Sequence, residues 1–200
     1  MKNTLLFSLL LVFAFACKKN PPPSKDTNLL CEGNGSADLF PLSVGNYWTY
    51  TVKKNGVVQP KVAKILVLKD SVYYGKDYFY LTDSNQMMFG SWRFYRKDTG
   101  NHTKFVIPGY SETMEIKKSP ALNESWISFF YGRKAVNLNA SLKTDNCSYT
   151  GLIQVNETDG GPIKDRRYYK KGLGLVYVVY PNSPMAGDST EYILKDVRIH

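Results

Sequence analysis

The sequence predicts an all-β protein: an antiparallel meander that forms a partly open barrel or a strongly curved sheet, with at most one short helix. Short segments that alternate apolar and polar side chains recur along the chain, with turn-forming residues between them. The chain contains 15 Tyr and 10 Phe, and aromatic residues favour strands. No stretch of about 12 residues sustains the apolar stripe of a helix.

Residues 39–68 show the clearest strand pattern. Residues 47–53 alternate, so Trp48, Tyr50 and Val52 share one face of the predicted strand. Asn55-Gly56 is a strong signal for a two-residue hairpin, because both turn positions require φ > 0. Residues 57–68 are predicted to return as the second strand, and Pro60 near its start indicates an edge or a bulge.

Further strands follow the same logic to the end of the chain. The Gly-, Asn- and Pro-rich segments between them are predicted turns, and Ser119-Pro120 predicts the start of a short helix over residues 122–124. The predicted strands are 78–81, 87–96, 104–107, 113–117, 126–131, 135–142, 148–155, 167–170, 175–180 and 191–199.

The first 16 residues have the anatomy of a secretory signal. Lys2 supplies a positive charge, and residues 5–15 form an uncharged apolar run. At about 1.5 Å per helical residue this run covers roughly 16 Å, too short for a hydrocarbon core of about 30 Å. The run therefore predicts export rather than a membrane-spanning helix.

The end of this signal, Ala14-Phe15-Ala16-Cys17, resembles a bacterial lipobox. The resemblance implies that Cys17 is lipidated and becomes the new N-terminus; an ordinary signal peptide with a chance cysteine is the alternative. Residues 17–29 are polar and proline-rich, as expected of a tether, which leaves residues 30–200 as one domain. We expect a lipid anchor in the outer membrane, with the domain facing the periplasm or the cell surface.

The other two cysteines, Cys31 and Cys147, form an even pair in an exported chain. They are predicted to form a disulfide, with two separately buried thiols as the alternative. No metal site is expected from so few ligands.

The formal net charge of +9 has two interpretations. The basic residues come in scattered pairs, without a dense stripe or a nucleic-acid-binding motif, so no nucleic-acid partner is predicted. Solvated strand edges explain most of the charge, and attraction to anionic lipid headgroups or acidic glycans is the alternative.

Two segments are similar to a recurrent pair in uncharacterised lipoproteins of the Bacteroidetes type. The first is Phe40-Pro-Leu-Ser-Val-Gly-Asn-Tyr-Trp-Thr-Tyr50, and the second is Tyr168-Tyr-Lys-Lys-Gly-Leu-Gly-Leu-Val176. The resemblance implies a sheet-rich, partly open barrel reminiscent of periplasmic lipoprotein carriers. It implies no activity.

No catalytic constellation is visible in the sequence. His102 and His200 lie in no motif with a nucleophile or a metal ligand, so the prediction is a protein that is not an enzyme and needs no cofactor. The sequence gives no reason to single out a pair of carboxylates for glycoside hydrolysis.

Binding is the better-supported class of function. Aromatic strand residues are candidates to line a cavity for a hydrophobic or envelope-derived ligand such as a lipid. If they face outward, they suit a structural or adhesion lipoprotein that binds glycan or protein; if they face inward, they are core. The candidate residues are Trp48, Tyr50, Trp92, Arg93, Phe94, Arg96 and Trp126.

Overall fold

The computed structural model describes residues 27–83, 93–97, 101–181 and 189–200. Within these residues one short helix, α1 (Thr27–Glu32), is followed by thirteen strands. The strands are β1 (Tyr47–Lys54), β2 (Val57–Val58), β3 (Ala63–Tyr73), β4 (Lys76–Asp83), β5 (Arg93–Lys97), β6 (His102–Val106), β7 (Thr113–Lys117), β8 (Ser125–Ser128), β9 (Tyr131–Lys143), β10 (Ser148–Thr158), β11 (Ile163–Lys170), β12 (Gly174–Pro181) and β13 (Ser189–Arg198).

All of these strands belong to one antiparallel sheet, ordered β7-β6-β5-β4-β3-β1-β13-β12-β11-β10-β9-β8, with β2 paired only to β1. Most neighbours in the sheet are neighbours in the chain, as in a meander. The exception is β1, which lies between β3 and β13 and so joins the first and last parts of the chain. The sheet is curved but not closed into a barrel, which confirms the predicted fold class.

The first hairpin forms as predicted, but its second strand is interrupted. Asn55 and Gly56 have φ of 50° and 78° and connect β1 to β2. Strand pairing stops after Val58 and resumes at Ala63, because Pro60 has no N–H to donate to the ladder. The predicted single strand over residues 57–68 is therefore two strands.

The predicted helix over residues 122–124 is wrong. Asn123 has a φ of +65°, which no α-helical residue adopts, and its N–H donates to the carbonyl of Ala135 on β9. Ala135 in turn donates to the carbonyl of Glu124. The backbone groups that a helix would pair internally are thus paired with a strand. The short helix within the described residues is α1, which begins inside the segment that the sequence suggested as tether.

The interior of the curved sheet contains the hydrophobic core. Trp48 and Tyr50 of β1 are fully buried there, and each is also hydrogen-bonded. The Trp48 Nε1–H donates to the Leu173 carbonyl at 2.6 Å, and the Tyr50 hydroxyl donates to the Leu175 carbonyl at 2.9 Å. The two segments that carry the family resemblance therefore contact each other, and both are part of the framework of the fold.

The N-terminal segment is attached to one end of the sheet. Cys31 of α1 forms a disulfide with Cys147, which immediately precedes β10. The Tyr149 hydroxyl donates to the Leu30 carbonyl at 3.2 Å, which adds a second link between α1 and β10. None of the helices in the described part of the chain is long and apolar enough to cross a membrane.

Candidate functional site

Strands β7 and β8 are the two edges of the sheet, and they approach each other without sharing a backbone ladder in the described residues. Side chains bridge them instead. The Phe129 N–H, just after β8, donates to Thr113 Oγ1 of β7 at 2.7 Å. Arg133 Nη1 of β9 donates to the Glu115 carbonyl of β7 at 2.6 Å. We call this junction the seam.

Small-molecule sites are typically clefts of about 300–1,000 Å³, and a cleft of about 480 Å³ opens at the seam. It lies between the β6–β7 loop and the β8–β9 turn. We call it the seam cleft. Its lining is Gly109, Tyr110, Ser111, Glu112, Thr113, Ile127, Phe129 and Phe130.

Phe129 is the centre of the aromatic contacts in the seam cleft. Its ring centroid lies 6.1 Å from that of Phe105 in a stacked arrangement, 5.1 Å from Tyr110 and 4.9 Å from Phe130. Phe130 is 75% exposed, and Tyr110 is also exposed. The cleft therefore offers accessible aromatic surface to an apolar ligand, backed by a ring that packs against the core.

The backbone at Phe129 is strained. Ser128 pairs with Tyr131, so Phe129 and Phe130 form a two-residue turn, and Phe129 has a φ of +64°. A positive φ at the first turn position is typical of a type II′ turn, which prefers glycine there. For a bulky residue this conformation costs on the order of 1–3 kcal/mol. The hydrogen bond from Phe129 to Thr113 is one contact that holds it.

Glu112 supplies a charge at the rim of the seam cleft. Its carboxylate accepts a hydrogen bond from the Tyr78 hydroxyl and lies 3.3 Å from Lys104 Nζ and 3.6 Å from Lys76 Nζ. Burial alone would raise the pKa of Glu112, but the hydrogen bonds from Tyr78 and Lys104 outweigh burial and lower it. Glu112 is therefore a paired carboxylate at neutral pH.

A buried network of five charged side chains lies behind the seam. Glu115 of β7 is 3.0 Å from Arg133 and 3.0 Å from Arg167. Arg133 is 2.7 Å from Glu157, and Arg167 is 2.6 Å from Asp165. The network joins β7 to β9, β10 and β11. In the described residues, β7 shares no backbone ladder with any of these three strands.

Electrostatics keep this network charged despite its burial. Burial by itself would lower the pKa of Arg167, but the charge of Asp165, with that of Glu115, raises it well above its ordinary value. Burial raises the pKa of the Tyr169 hydroxyl, which therefore stays protonated and donates to Glu115 at 3.4 Å. The two guanidinium groups therefore remain protonated, and the network has a structural role.

A second cavity, of about 410 Å³, lies along the β3–β4 hairpin. It is lined by Asp70, Ser71, Val72, Asp77, Tyr78 and Phe79. Among the residues that the structure describes, no group of three or more His, Cys, Asp or Glu side chains is placed to hold a metal ion.

Three of the sequence-predicted binding residues lie inside the molecule. Trp48 and Tyr50 are core residues with no surface for a ligand. Trp126 of β8 is buried near the seam, and its Nε1 has no hydrogen-bond partner in the described part of the chain. The inward orientation that the alternation predicted corresponds here to a packed core.

The remaining predicted binding and lipidation residues lie on β5 or outside the described residues. Arg93, Phe94 and Arg96 belong to β5, where only the course of the strand is described. Trp92 and the predicted lipidation site Cys17 lie outside the described residues.

Sequence reasoning missed the residues of the seam cleft. Residues 126–131 were predicted as one strand, but the chain turns at Phe129-Phe130. This turn contains no Gly, Asn, Asp or Pro, so the usual hairpin signal is absent. Only the pairing of β8 with β9 reveals that two adjacent phenylalanines stand at a hairpin tip.

The sequence matches no protein-family model and no curated protein. Its fold is similar to that of a Bacteroides fragilis protein, which is described as an inferred exported protein with a YmcC-like fold. The TM-score is 0.50 at 10% identity, with 80% of this chain and 98% of that chain covered.

Two more distant structures are an inferred lipoprotein of Parabacteroides distasonis and a LolA superfamily protein of Nitrosomonas europaea. The first has a TM-score of 0.39 at 11% identity and covers 82% of this chain and 99% of its own. The second has a TM-score of 0.26 at 6% identity, with coverages of 82% and 90%. Of these three structures only the Bacteroides fragilis protein reaches a TM-score of 0.50. At 10% identity, that similarity concerns the fold alone.

Proposed function

We propose that this chain is a lipoprotein of the bacterial cell envelope that binds an apolar ligand in the seam cleft without catalysing a reaction. The observation that carries the proposal is the cleft itself, about 480 Å³ between two unpaired sheet edges, with accessible aromatic rings in its wall. Burial of such rings against an acyl chain or another apolar group is worth about 25 cal/mol per Å² of apolar surface.

The geometry of the lining suits an amphiphilic ligand. Phe129, Phe130 and Ile127 offer apolar surface on one side of the cleft, and Glu112 with its lysine partners stands at the rim. An acyl or similar apolar group would lie against the rings. A polar head would remain at the rim, near the ion pairs.

The charges near the seam support binding rather than catalysis. A general acid or base needs a pKa near the working pH and access to substrate. Glu115, Glu157 and Asp165 are buried and paired with guanidinium groups, and Glu112 is held ionised by its partners. Each of these carboxylates is already engaged in holding the structure.

The envelope location is supported from three directions. The first 16 residues read as a secretory signal that ends in a lipobox-like Cys17. The Cys31–Cys147 disulfide suits an oxidising compartment outside the cytosol. The Bacteroides fragilis protein that shares the fold is itself named for export.

The test is binding of the apolar fluorescent probe 1-N-phenylnaphthylamine to the purified protein. Ser111 is exposed and lines the cleft, so Ser111→Trp should fill the cleft and abolish probe fluorescence without disturbing the core. The matched control is Lys61→Trp, which adds the same side chain at an exposed loop position elsewhere. Equal probe binding by the two variants would exclude the seam cleft as the site.

A further inference from the structure

We propose that the aromatic tips of two hairpins, β3–β4 and β8–β9, insert into a lipid surface. The tips are the Tyr74-Gly75 turn and the Phe129-Phe130 turn. The inference rests on the membrane tether of the proposed function, but it concerns a second contact with the bilayer, made by the folded domain.

The turn chemistry of this chain does not explain the aromatic residues at these tips. The β1–β2 turn uses Asn55-Gly56, the favoured pair when both φ values are positive. The β3–β4 turn has the same backbone, with φ of 48° and 71°, yet Tyr74 stands at its first position. Phe129, with φ of +64°, likewise stands where glycine is preferred. The Phe129 ring packs against the core, so a contact outside the fold is needed to explain only the exposed rings of Tyr74 and Phe130.

The two tips are parts of one surface. The Tyr73 ring lies 4.6 Å from the Tyr74 ring, and the Tyr73 hydroxyl accepts a hydrogen bond from the Gly109 N–H at 3.4 Å. Tyr110, the next residue, lies 5.1 Å from Phe129. The β6–β7 loop therefore connects the tips.

The shape and residue type of this surface fit a bilayer interface. Tyr74 is 85% exposed and Phe130 is 75% exposed, and each belongs to a two-residue turn at the end of a hairpin. Exposed Val72 and Ile127 flank them on the adjoining strands. Aromatic side chains of this kind bind where acyl chains meet headgroups, with rings in the apolar layer and tyrosine hydroxyls in the polar one.

The charges beside the tips indicate insertion rather than electrostatic adsorption. Lys76, which follows the Tyr74-Gly75 turn, and Lys104 both lie against Glu112. Their charges are therefore partly neutralised within the protein. We expect the contact to form on neutral phosphatidylcholine and to persist in high salt, which screens exposed charges.

The tether is long enough for this contact. Residues 17–26 precede the described structure, and ten extended residues reach about 33–36 Å. The structure begins at α1, which is joined to the start of β10 by Cys31–Cys147, whereas the Phe129-Phe130 tip adjoins the end of β10, where Gly132 pairs with Thr158. Eleven strand residues span about 33–37 Å, so a fully extended tether is about as long as the distance along β10 from α1 to the tip.

The experiment uses the full chain, purified from bacterial membranes and reconstituted into phosphatidylcholine vesicles. A bimane fluorophore is attached at Phe130→Cys or, as a matched control, at Val57→Cys. Val57 is exposed at another hairpin, separated from β9 by five strands of the sheet. The readouts are flotation with the vesicles and quenching by lipids that carry a nitroxide near the headgroup end of the acyl chain.

We expect the bimane at position 130 to lose most of its fluorescence and the bimane at position 57 to keep it. Tyr74→Asn, which retains a favoured turn, should shift the docked–undocked equilibrium at position 130 by about tenfold, the ratio that corresponds to about 1.4 kcal/mol. Quenching in high salt should be unchanged.

Each contrary result has a distinct meaning. A chain that floats while position 130 stays unquenched overturns this inference and leaves the tether standing. A chain that does not float overturns the tether and this inference together. Bimane fluorescence at position 130 that responds to protein concentration, and not to nitroxide lipid, would assign the tips to a second copy of the chain. Probe binding in the seam cleft is measured without vesicles, so it is judged independently.

Discussion

Glu115→Gln is predicted to destabilise the protein strongly, because Glu115 connects the β7 edge to the rest of the sheet. Its carboxylate lies 3.0 Å from both Arg133 and Arg167, and its side chain is fully buried. Arg133 keeps Glu157 and Arg167 keeps Asp165, so Gln at this position removes two charge-assisted contacts without leaving a guanidinium unpaired. Hydrogen bonds to charged groups are worth about 1.5–3 kcal/mol, and this is the loss that we expect. For a domain of this size each kcal/mol lowers Tm by about 2–4 °C, so we expect a decrease of roughly 3–12 °C.

Urea unfolding followed by circular dichroism measures the free energy of unfolding of both proteins. The control is Asp145→Asn, which removes a carboxylate from an ion pair 3.1 Å long with Lys53, in which Asp145 is 73% exposed. An exposed pair of this kind is worth about 0–1 kcal/mol. If Glu115→Gln costs no more than Asp145→Asn, the network does not hold the seam and the reasoning fails.

Three further predictions concern the disulfide, a turn and the cleft rim. Replacing Cys31 and Cys147 by serine removes a disulfide that joins residues 116 positions apart in the sequence. The chain-entropy model predicts that the free energy of unfolding falls by about 4–5 kcal/mol. Urea unfolding measures this loss, with the reduced wild type as the comparison. Tyr74→Asn should raise the free energy of unfolding by up to about 1 kcal/mol, since asparagine adopts the left-handed turn more easily; a decrease would mean that the Tyr74 ring stabilises the fold. Glu112→Gln should destabilise the protein mainly above pH 4.5, the ordinary value that its folded-state pKa lies below. The difference from wild type should vanish as pH falls through that lowered pKa, so a pH-independent difference would contradict the assigned ion pairs.

Much of the fold could be predicted from local sequence. Asn55-Gly56 predicts its hairpin because the turn and the alternation around it agree, and the single antiparallel sheet follows from many such local signals. The exceptions are places where distant contacts decide. Asn123 and Glu124 pair with Ala135 instead of forming a helix, and no local pattern shows that β9 lies beside them.

The candidate site was much less accessible to sequence reasoning. The alternation correctly places Trp48 and Tyr50 on one inward face, but periodicity does not distinguish a core from the wall of a cavity. The seam cleft depends on the meeting of β7 and β8 and on a turn at Phe129 that breaks the usual residue preferences. The charged network draws Glu115 and Arg167 together across 52 residues of sequence, a pairing that charge patterning does not reveal.

Native mass spectrometry of the protein, purified gently from a bacterial envelope, tests the central claim most directly. The account predicts a reproducible extra mass on the wild type that denaturation removes, that is absent from Ser111→Trp and that is retained by Lys61→Trp. The same extra mass on all three proteins would place the ligand outside the seam cleft. A clean mass for the wild type, together with no binding of added apolar probe, would contradict the proposed function.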